Sequence, residues 1–291
     1  MRVATAAYPL DQFTSWSQVE EKLTTWVAQA AGQGAELLVF PEYGAMELAT
    51  LDGPQVAGDL EASLYAVSEK LAEVDALHAR LAAQYGVHIV AASGPAATDT
   101  RPVNRARLIT PGGAVGVQDK QIMTRFEREV WGVIGGGPLQ VFDTVLGRIG
   151  ILICYDSEFP LLGRALQSCD IICVPSVTEA LAGYWRVRTG AMARALENQC
   201  VTVMSSVVGQ AEWSEALGSC VGTGGVFGPP DTGFPPTGVL AVGEIGAPGW
   251  TYADIDLDAI ARVRADGVVL NRAHWVEQTG RDAAATNVVL R

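Results

Sequence analysis

The chain of 291 residues is short of basic side chains and has no long apolar segment. Its 20 lysines and arginines stand against 32 aspartates and glutamates, which gives a net charge of −12 at pH 7. A protein that binds nucleic acid needs a basic face to displace counterions, so this balance argues against DNA or RNA as a partner. No run approaches the roughly 20 consecutive apolar residues of a transmembrane helix, and we predict no membrane partner.

Histidine and cysteine are also scarce. None of the 3 histidines stands in ligand spacing with a cysteine, which argues against a zinc site. The 5 cysteines are odd in number and lie mostly among apolar or small residues, which favours reduced thiols in the cytoplasm over a disulfide framework. The N-terminal residues lack the basic and apolar regions of a signal peptide and are typical of a strand.

Strand-like and helix-like segments alternate along the chain. The strand-like segments are 2–8, 36–40, 87–93, 105–110, 148–154, 170–175 and 200–207, with three more around Val226, at 239–242 and at 251–255. The first helix-like segment opens with a capping box at Ser17 and closes at Gly32. Three further helix-like segments are 59–85, 159–167 and 184–199. This alternation predicts a sheet with helices on its faces, and the Gly/Pro-rich second half indicates a mixed or doubled sheet.

The longest helical pattern, at residues 59–85, has an apolar stripe with alternating steps of four and three residues. The stripe favours packing on a sheet, with a coiled coil as the alternative. We find no linker along the chain. We therefore predict a single domain over residues 1–291.

The segment around Cys154 carries the clearest chemical signal. A continuous apolar run ends at this cysteine, a tight polar turn follows, and a helix is predicted to begin near Pro160. A thiol at the end of a buried strand and close to a helix N-terminus meets N–H groups and a helix dipole that favour a thiolate. Taken alone, the segment is equally compatible with a small core residue, since free cysteines are usually buried. The other four cysteines are expected to be buried and inert.

A cysteine nucleophile needs a partner that moves protons. The 3 histidines are poorly placed, because they fall in the long helix, inside a strand and near the C-terminus. Glu42 follows the strand at 36–40 and would lie beside Cys154 if the two strands were parallel neighbours. Lys120 adds an ammonium, which can lower the pKa of a thiol and stabilise an oxyanion. Taken singly, Glu42 and Lys120 are also compatible with solvated surface side chains.

Together these segments resemble the nitrilase superfamily of carbon–nitrogen hydrolases. The resemblance covers nearly the whole chain and rests on FPEY at 40–43, DKQIMTRFE at 119–127, ICYDSEFP at 153–160 and ARALEN at 193–198. It implies an α/β fold, a four-layer αββα sandwich of two mixed sheets flanked by helices. It also implies a homodimer or higher homo-oligomer, with a C-terminal tail of about residues 270–291 as the candidate interface.

The resemblance maps the family's Glu-Lys-Cys triad onto Glu42, Lys120 and Cys154. A second glutamate maps best onto Glu127, because of its distance from Lys120, with Glu129 as the alternative. The implied reaction uses Glu42 as base, and it uses Lys120 and the N–H that follows the nucleophile as oxyanion donors. It passes through a thioester and needs no metal or organic cofactor.

The residues after the nucleophile bear on the substrate. Tyr155 and Asp156 stand where nitrile-cleaving members tend to carry Trp and Glu, which favours an amide. Tyr155 is also predicted to contact the substrate. Glu158 stands where amidases of dicarboxylate monoamides carry arginine, so we expect a neutral or cationic amide or carbamoyl compound. The alternative for Glu158 is a carboxylate that satisfies a helix N-terminus.

Other functions stay open at this point. The same residues serve nitrile hydrolysis or acyl transfer to an amine, and a protein of this fold can bind a ligand without catalysis. All four candidate catalytic residues are present, which favours an enzyme, because a binding protein does not need them. We predict a hydrolase that cleaves a non-peptide carbon–nitrogen bond in a small linear amide or carbamoyl compound.

Overall fold

The computed structural model of the chain describes residues 1–281 and 283–290. Residues 282 and 291 of the predicted C-terminal tail lie outside the described part. The strands are β1 (Arg2–Pro9), β2 (Leu37–Val39), β3 (His88–Ala96), β4 (Val103–Ile109), β5 (Val115–Asp119), β6 (Val141–Thr144), β7 (Gly147–Ile151), β8 (Ile171–Ser176), β9 (Val201–Gln210), β10 (Ser219–Cys220), β11 (Gly225–Phe227), β12 (Val239–Val242) and β13 (Gly249–Asp254). The α-helices are α1 (Trp16–Gly32), α2 (Pro54–Gly58), α3 (Leu60–Tyr85), α4 (Pro160–Ala165), α5 (Leu181–Asn198), α6 (Leu257–Asp266) and α7 (Asn271–His274).

The strands form two mixed sheets that are joined at one point. The first has the order β5-β4-β3-β2-β1-β13, in which β1, β2 and β3 are parallel and the outer pairs antiparallel. The second has the order β6-β7-β8-β9-β11-β12, in which β7, β8 and β9 are parallel. The junction lies where residues 7–9 of β1 pair with residues 206–208 of β9.

Alternation of side chains along the strands sets the order of the layers. Ala4, Ala6 and Tyr8 of β1 join α1 and α3 in one apolar cluster. The opposite face of the first sheet joins the second sheet in another cluster, which includes Val3, Leu37, Val39, Val90, Ile151, Cys173 and Val203. The far face of the second sheet meets α5, where Thr202 Oγ1 donates to Ala191 O at 3.0 Å. Helices therefore cover both outer faces, and the expected αββα sandwich is confirmed.

Helix α3 lies on the first sheet. Asp59 caps its N-terminus by accepting the N–H groups of Glu61 and Ala62 at 2.9 and 2.7 Å, and Gly86 ends it with a φ of 67°. Its buried stripe belongs to the cluster that contains β1, so the helix packs on the sheet and not in a coiled coil. Neither α3 nor any other helix within residues 1–281 and 283–290 has the length and apolar character needed to cross a bilayer.

Six of the strands and α-helices have no counterpart among the predicted segments, namely β5, β6, β10, α2, α6 and α7. In β5 and β6, fully buried residues are few because both strands lie at sheet edges, so neither shows a continuous apolar run. Helix α6 is short and is capped by Asp256, whose carboxylate accepts the N–H of Asp258 at 2.9 Å. The capping box predicted at Ser17 is wrong, because α1 begins at Trp16 and the Ser17 hydroxyl lies 2.9 Å from that of Ser15.

Candidate active site

Loops at one edge of the sandwich carry the candidate catalytic side chains. Glu42 follows β2, Lys120 follows β5, and Cys154 opens a 3-10 turn shortly after β7 ends. The backbone is left-handed at Tyr43 and Cys154, with φ of 54° and 49°. This conformation costs a non-glycine residue about 1–3 kcal/mol, and such strain concentrates at functional sites.

Lys120 lies between two buried carboxylates. Its Nζ is 2.7 Å from Glu42 Oε1 and 2.6 Å from Glu127 Oε2, and none of the three side chains is more than 4% exposed. Burial favours the neutral amine, but the two carboxylates outweigh it and raise the pKa of Lys120. The site therefore holds a fixed cation where water screens it poorly.

Glu127 is held as an anion by hydrogen-bond donors. In addition to Lys120, the N–H and Oγ1 of Thr124 donate to its Oε2 at 2.9 and 2.8 Å, and the Tyr43 hydroxyl donates to its Oε1 at 2.9 Å. Burial would raise the pKa of this carboxyl, but Lys120 and Thr124 outweigh it and bring the pKa below its ordinary value. Glu127 thus keeps its negative charge next to the lysine.

Glu42 differs from Glu127 in how it titrates. Besides Lys120, its Oε1 accepts from Asn104 Nδ2 at 3.0 Å and its Oε2 accepts from the Val177 N–H at 3.1 Å. Burial raises its pKa, Lys120 opposes this, and the charge of Glu127 adds to the rise, so that the pKa reaches about 7. A carboxyl with this pKa can take up and return a proton near neutral pH.

The Cys154 thiol is protonated at rest. Burial and the nearby Glu42 carboxylate raise its pKa well above the usual value, and Lys120 only partly offsets them. Helix α4 begins only at Pro160 and has 6 residues, so its dipole is remote from the sulfur and weak. The structure does not support the predicted resting thiolate. Removal of its proton near neutral pH therefore needs a base.

A cavity of about 570 Å³ leads to these side chains. Glu42, Lys120, Glu127 and Cys154 line it. Aromatic and aliphatic side chains form a large part of the wall and include Tyr43, Phe126, Trp131, Tyr155, Val177, Val187 and Leu217. The remaining charged residues of the lining are Glu158, Glu179, Arg186 and Glu215. This combination of an apolar wall and a few converging polar groups suits a small organic molecule.

Both residues that were predicted to contact the substrate line the cavity. The Tyr155 ring packs edge-on against Phe159, with ring centroids 4.8 Å apart. The Glu158 Oε1 lies 3.4 Å from Arg186 Nε, so this carboxylate is partly paired. Glu158 does not cap α4, because no side chain bonds to that helix N-terminus.

The second glutamate beside Lys120 is Glu127. The alternative, Glu129, is exposed and pairs with Arg125 at 2.9 Å, one turn earlier in the chain. Glu127 and Glu129 lie in a single π-helical turn, in which only Glu127 and Trp131 are buried. The distance from Lys120 along the chain favoured Glu127, and this is the glutamate that lies at the lysine in the structure.

Sequence reasoning missed Tyr43, Asn104 and Asp156. Tyr43 donates to Glu127, Asn104 donates to Glu42, and the Asp156 carboxylate accepts backbone N–H groups beside the nucleophile. Asn104 had a detectable signal, because asparagine is depleted in strands and is costly in a buried one.

The remaining thiols differ from Cys154 in their surroundings. Cys169, Cys173 and Cys200 are buried in the core, whereas Cys220 lines the cavity with its Sγ 3.5 Å from Leu217 O. Burial raises the pKa of Cys169, Cys200 and Cys220 to about 12. Burial raises the pKa of Cys154 as well, so Cys154 is set apart by its place in the cavity with Lys120 and Glu42 and not by its pKa.

Comparison with known proteins assigns the chain to a family. Residues 2–265 match the carbon–nitrogen hydrolase family, and the chain belongs to that family. A probable hydrolase of Bacillus subtilis (strain 168) is 31% identical over 274 residues, which cover 92% of this chain and 52% of that protein. The chain thus spans about half the length of this and other curated relatives.

Solved structures share the fold. A Saccharomyces cerevisiae member of branch 10 of the nitrilase superfamily gives a TM-score of 0.70 at 19% identity, over 91% of this chain and 93% of that one. A double mutant of the amidase from Nesterenkonia sp. AN1, in complex with acrylamide, gives 0.67 at 20% identity, over 91% and 95%. These likenesses concern the fold, and with the family match they confirm the predicted membership of the nitrilase superfamily.

Replacement of Lys120 by methionine should destabilise the fold, because it leaves two buried carboxylates without a cation. Removing one partner of a buried ion pair costs about 3–5 kcal/mol, and urea denaturation at pH 8 measures this loss. The loss should shrink at pH 5, where the carboxylates can take up protons, and Lys120→Met with Glu127→Gln should recover part of it. The control is Arg80→Met, which breaks the exposed pair with Glu20 and should cost at most about 1 kcal/mol. Equal losses for Lys120→Met and the control would contradict the buried-charge argument.

Proposed function

We propose that this chain hydrolyses the carbon–nitrogen bond of a small linear amide or carbamoyl compound through a cysteine thioester. The observation that carries the proposal is Lys120 between Glu42 and Glu127, beside Cys154 in one cavity. One carboxyl titrates near neutral pH while the other stays ionised. A base, a fixed cation and a thiol are what nucleophilic cleavage of an amide requires.

In the first half of the reaction Glu42 takes the thiol proton as Cys154 Sγ attacks the carbonyl carbon. Lys120 Nζ and the Tyr155 N–H stabilise the negative charge on the carbonyl oxygen, and one such donor contributes roughly 3–4 kcal/mol. The tetrahedral intermediate then collapses and breaks the carbon–nitrogen bond. Glu42 gives its proton to the leaving nitrogen, so that ammonia or an amine departs and a thioester remains on Cys154.

Water completes the reaction. Glu42, ionised again, takes a proton from a water molecule that attacks the thioester carbon. The carbon–sulfur bond breaks, the acid departs and Cys154 recovers a proton from Glu42. We assign Glu127 to holding Lys120 and not to proton transfer, because 4 donor groups keep its carboxylate charged.

The charges of the cavity support a neutral or cationic substrate. Glu158, Glu179 and Glu215 line it against Arg186 alone, which already lies 3.4 Å from Glu158. The lining outside the catalytic groups is therefore net negative and repels an anionic substrate. The residues Tyr155 and Asp156 after the nucleophile support an amide over a nitrile, and the structurally similar amidase was solved with acrylamide bound.

The purified chain should release ammonia from small amides, and Cys154→Ala should abolish this release. Because Glu42 must be ionised to accept the thiol proton, kcat/KM should fall as the pH drops below about 7. Glu42→Gln should lower kcat/KM by about 10²- to 10⁴-fold and remove this pH dependence. Cys200→Ala, which removes a thiol outside the cavity, is the control and should stay active.

A panel of amides, N-carbamoyl amines and nitriles, with and without added amine acceptors, separates the possible reactions. Hydrolysis gives ammonia or an amine and an acid whether or not an acceptor is present. Products that appear only from nitriles, or only with an acceptor, would assign nitrile cleavage or acyl transfer instead. No turnover of any compound by a protein that remains folded would leave a ligand-binding role.

A cationic amide should be hydrolysed more efficiently than an anionic one. The ratio of kcat/KM for 4-aminobutanamide to that for succinamate should exceed one, because the first is cationic and the second anionic. Glu158→Gln with Glu179→Gln and Glu215→Gln should lower this ratio by about threefold or more, since each screened surface charge contributes up to about 1 kcal/mol. Added salt should lower it too. Glu212→Gln, an exposed neighbour outside the cavity lining, should not change it; a ratio unaffected by the triple change would refute the charge argument.

We also propose that the chain forms a homodimer through α4, α5 and the C-terminal segment. Leu161 and Val269, which are 77% and 53% exposed, line one groove together with Trp275. Leu161→Glu with Val269→Glu should shift the sedimentation of the chain from dimer to monomer, because buried charges oppose association. Val145→Glu, at an 88% exposed position between β6 and β7, is the control and should leave the dimer intact. A monomeric unmodified chain would rule out the dimer.

A further inference from the structure

Asp156 lies two residues after Cys154, is completely buried and takes no part in the steps above. Its Oδ1 accepts the Ile122 N–H at 2.9 Å, and its two oxygens lie 3.2 and 3.1 Å from the Gln121 nitrogen. Its Oδ2 also accepts the Ile153 N–H at 3.3 Å. All of these donors are backbone groups, so the carboxylate holds the main chain of these segments in place.

The donors adjoin the catalytic groups along the chain. Gln121 directly follows Lys120, and Ile153 directly precedes Cys154. In the part of the chain that the structure describes, every hydrogen bond between segments 119–124 and 152–158 ends on the Asp156 carboxylate. We therefore expect a change at this carboxylate to shift the main chain at Lys120 relative to the main chain at Cys154.

We propose that Asp156 is a positioning residue that fixes the Lys120 ammonium relative to the Cys154 sulfur. The inference rests on the proposed function, because it assigns a role within the same reaction. Asparagine at this position keeps one acceptor oxygen but turns an amide NH₂ toward a backbone N–H, so some of these hydrogen bonds to the main chain are lost. Glutamate keeps both oxygens but displaces them by one methylene group.

The first test compares Asp156→Asn and Asp156→Glu with the unmodified chain in amide hydrolysis. We expect both variants to unfold cooperatively, with kcat lowered about 10- to 100-fold and KM little changed, because misplacement by about 1 Å has effects of this size. The control is Asp231→Asn, whose carboxylate accepts the N–H groups of Val268 and Val269 at 2.8 and 3.3 Å outside the cavity. This control should lower the melting temperature without changing kcat. Asp156 variants that keep kcat, or that do not fold, would assign the residue to stability and overturn the proposal.

The second test does not depend on the substrate. Iodoacetamide modifies Cys154 faster when the Lys120 ammonium lies near the sulfur, because the cation lowers the pKa of the thiol. At pH 7 we expect Asp156→Asn to slow this modification, followed at Cys154 by mass spectrometry, by about threefold or more. An unchanged rate would overturn the positioning role. If the unmodified chain is labelled but hydrolyses no amide, the proposed function fails while the labelling rates still decide the role of Asp156.

Discussion

The Lys120 ammonium neutralises half of the charge that two ionised carboxylates would bring into the buried floor of the cavity. Without it, Glu42 and Glu127 would both have to be protonated to remain buried. With it, one carboxyl can ionise fully and the other can titrate near neutral pH. Which of them titrates follows from the donors, because Glu127 accepts from Thr124 and a tyrosine hydroxyl in addition to Lys120. Glu42 and Glu127 therefore titrate differently because their surroundings differ.

The packing of the two sheets supports this charge arrangement. Glu42 and Lys120 follow strands of the first sheet, whereas Cys154 and Val177 follow strands of the second. The Val177 N–H donates to Glu42 at 3.1 Å, so a hydrogen bond of the site joins the two layers directly. The apolar layer between the sheets therefore sets the distance between Glu42 and Cys154. A change of volume in that layer is felt at the site, because close-packed interiors transmit displacement.

The sequence predicted Glu42 and Cys154 from their positions after buried strands. Lys120 was predicted through the resemblance of residues 119–127 to a family motif, because β5, the edge strand that precedes it, was not found. The partner Tyr43 was missed because its contact with Glu127 joins positions 84 residues apart in the chain. Local patterns do not show such pairs. The edge strands β5 and β6 were missed for a related reason, since their exposure removes the apolar run that marks a buried strand. The thiol was expected to ionise from its place near a helix, but burial outweighs that effect.

The left-handed backbone at Cys154 is a conformation that disfavours the residue type that supplies the sulfur. A φ of 49° suits glycine, yet glycine would remove the sulfur. The chain keeps a conformationally unfavourable residue there, and the remaining structure must tolerate that strain. Glycine or asparagine at position 154 would therefore be expected to raise the free energy of unfolding while removing the thiol from the cavity.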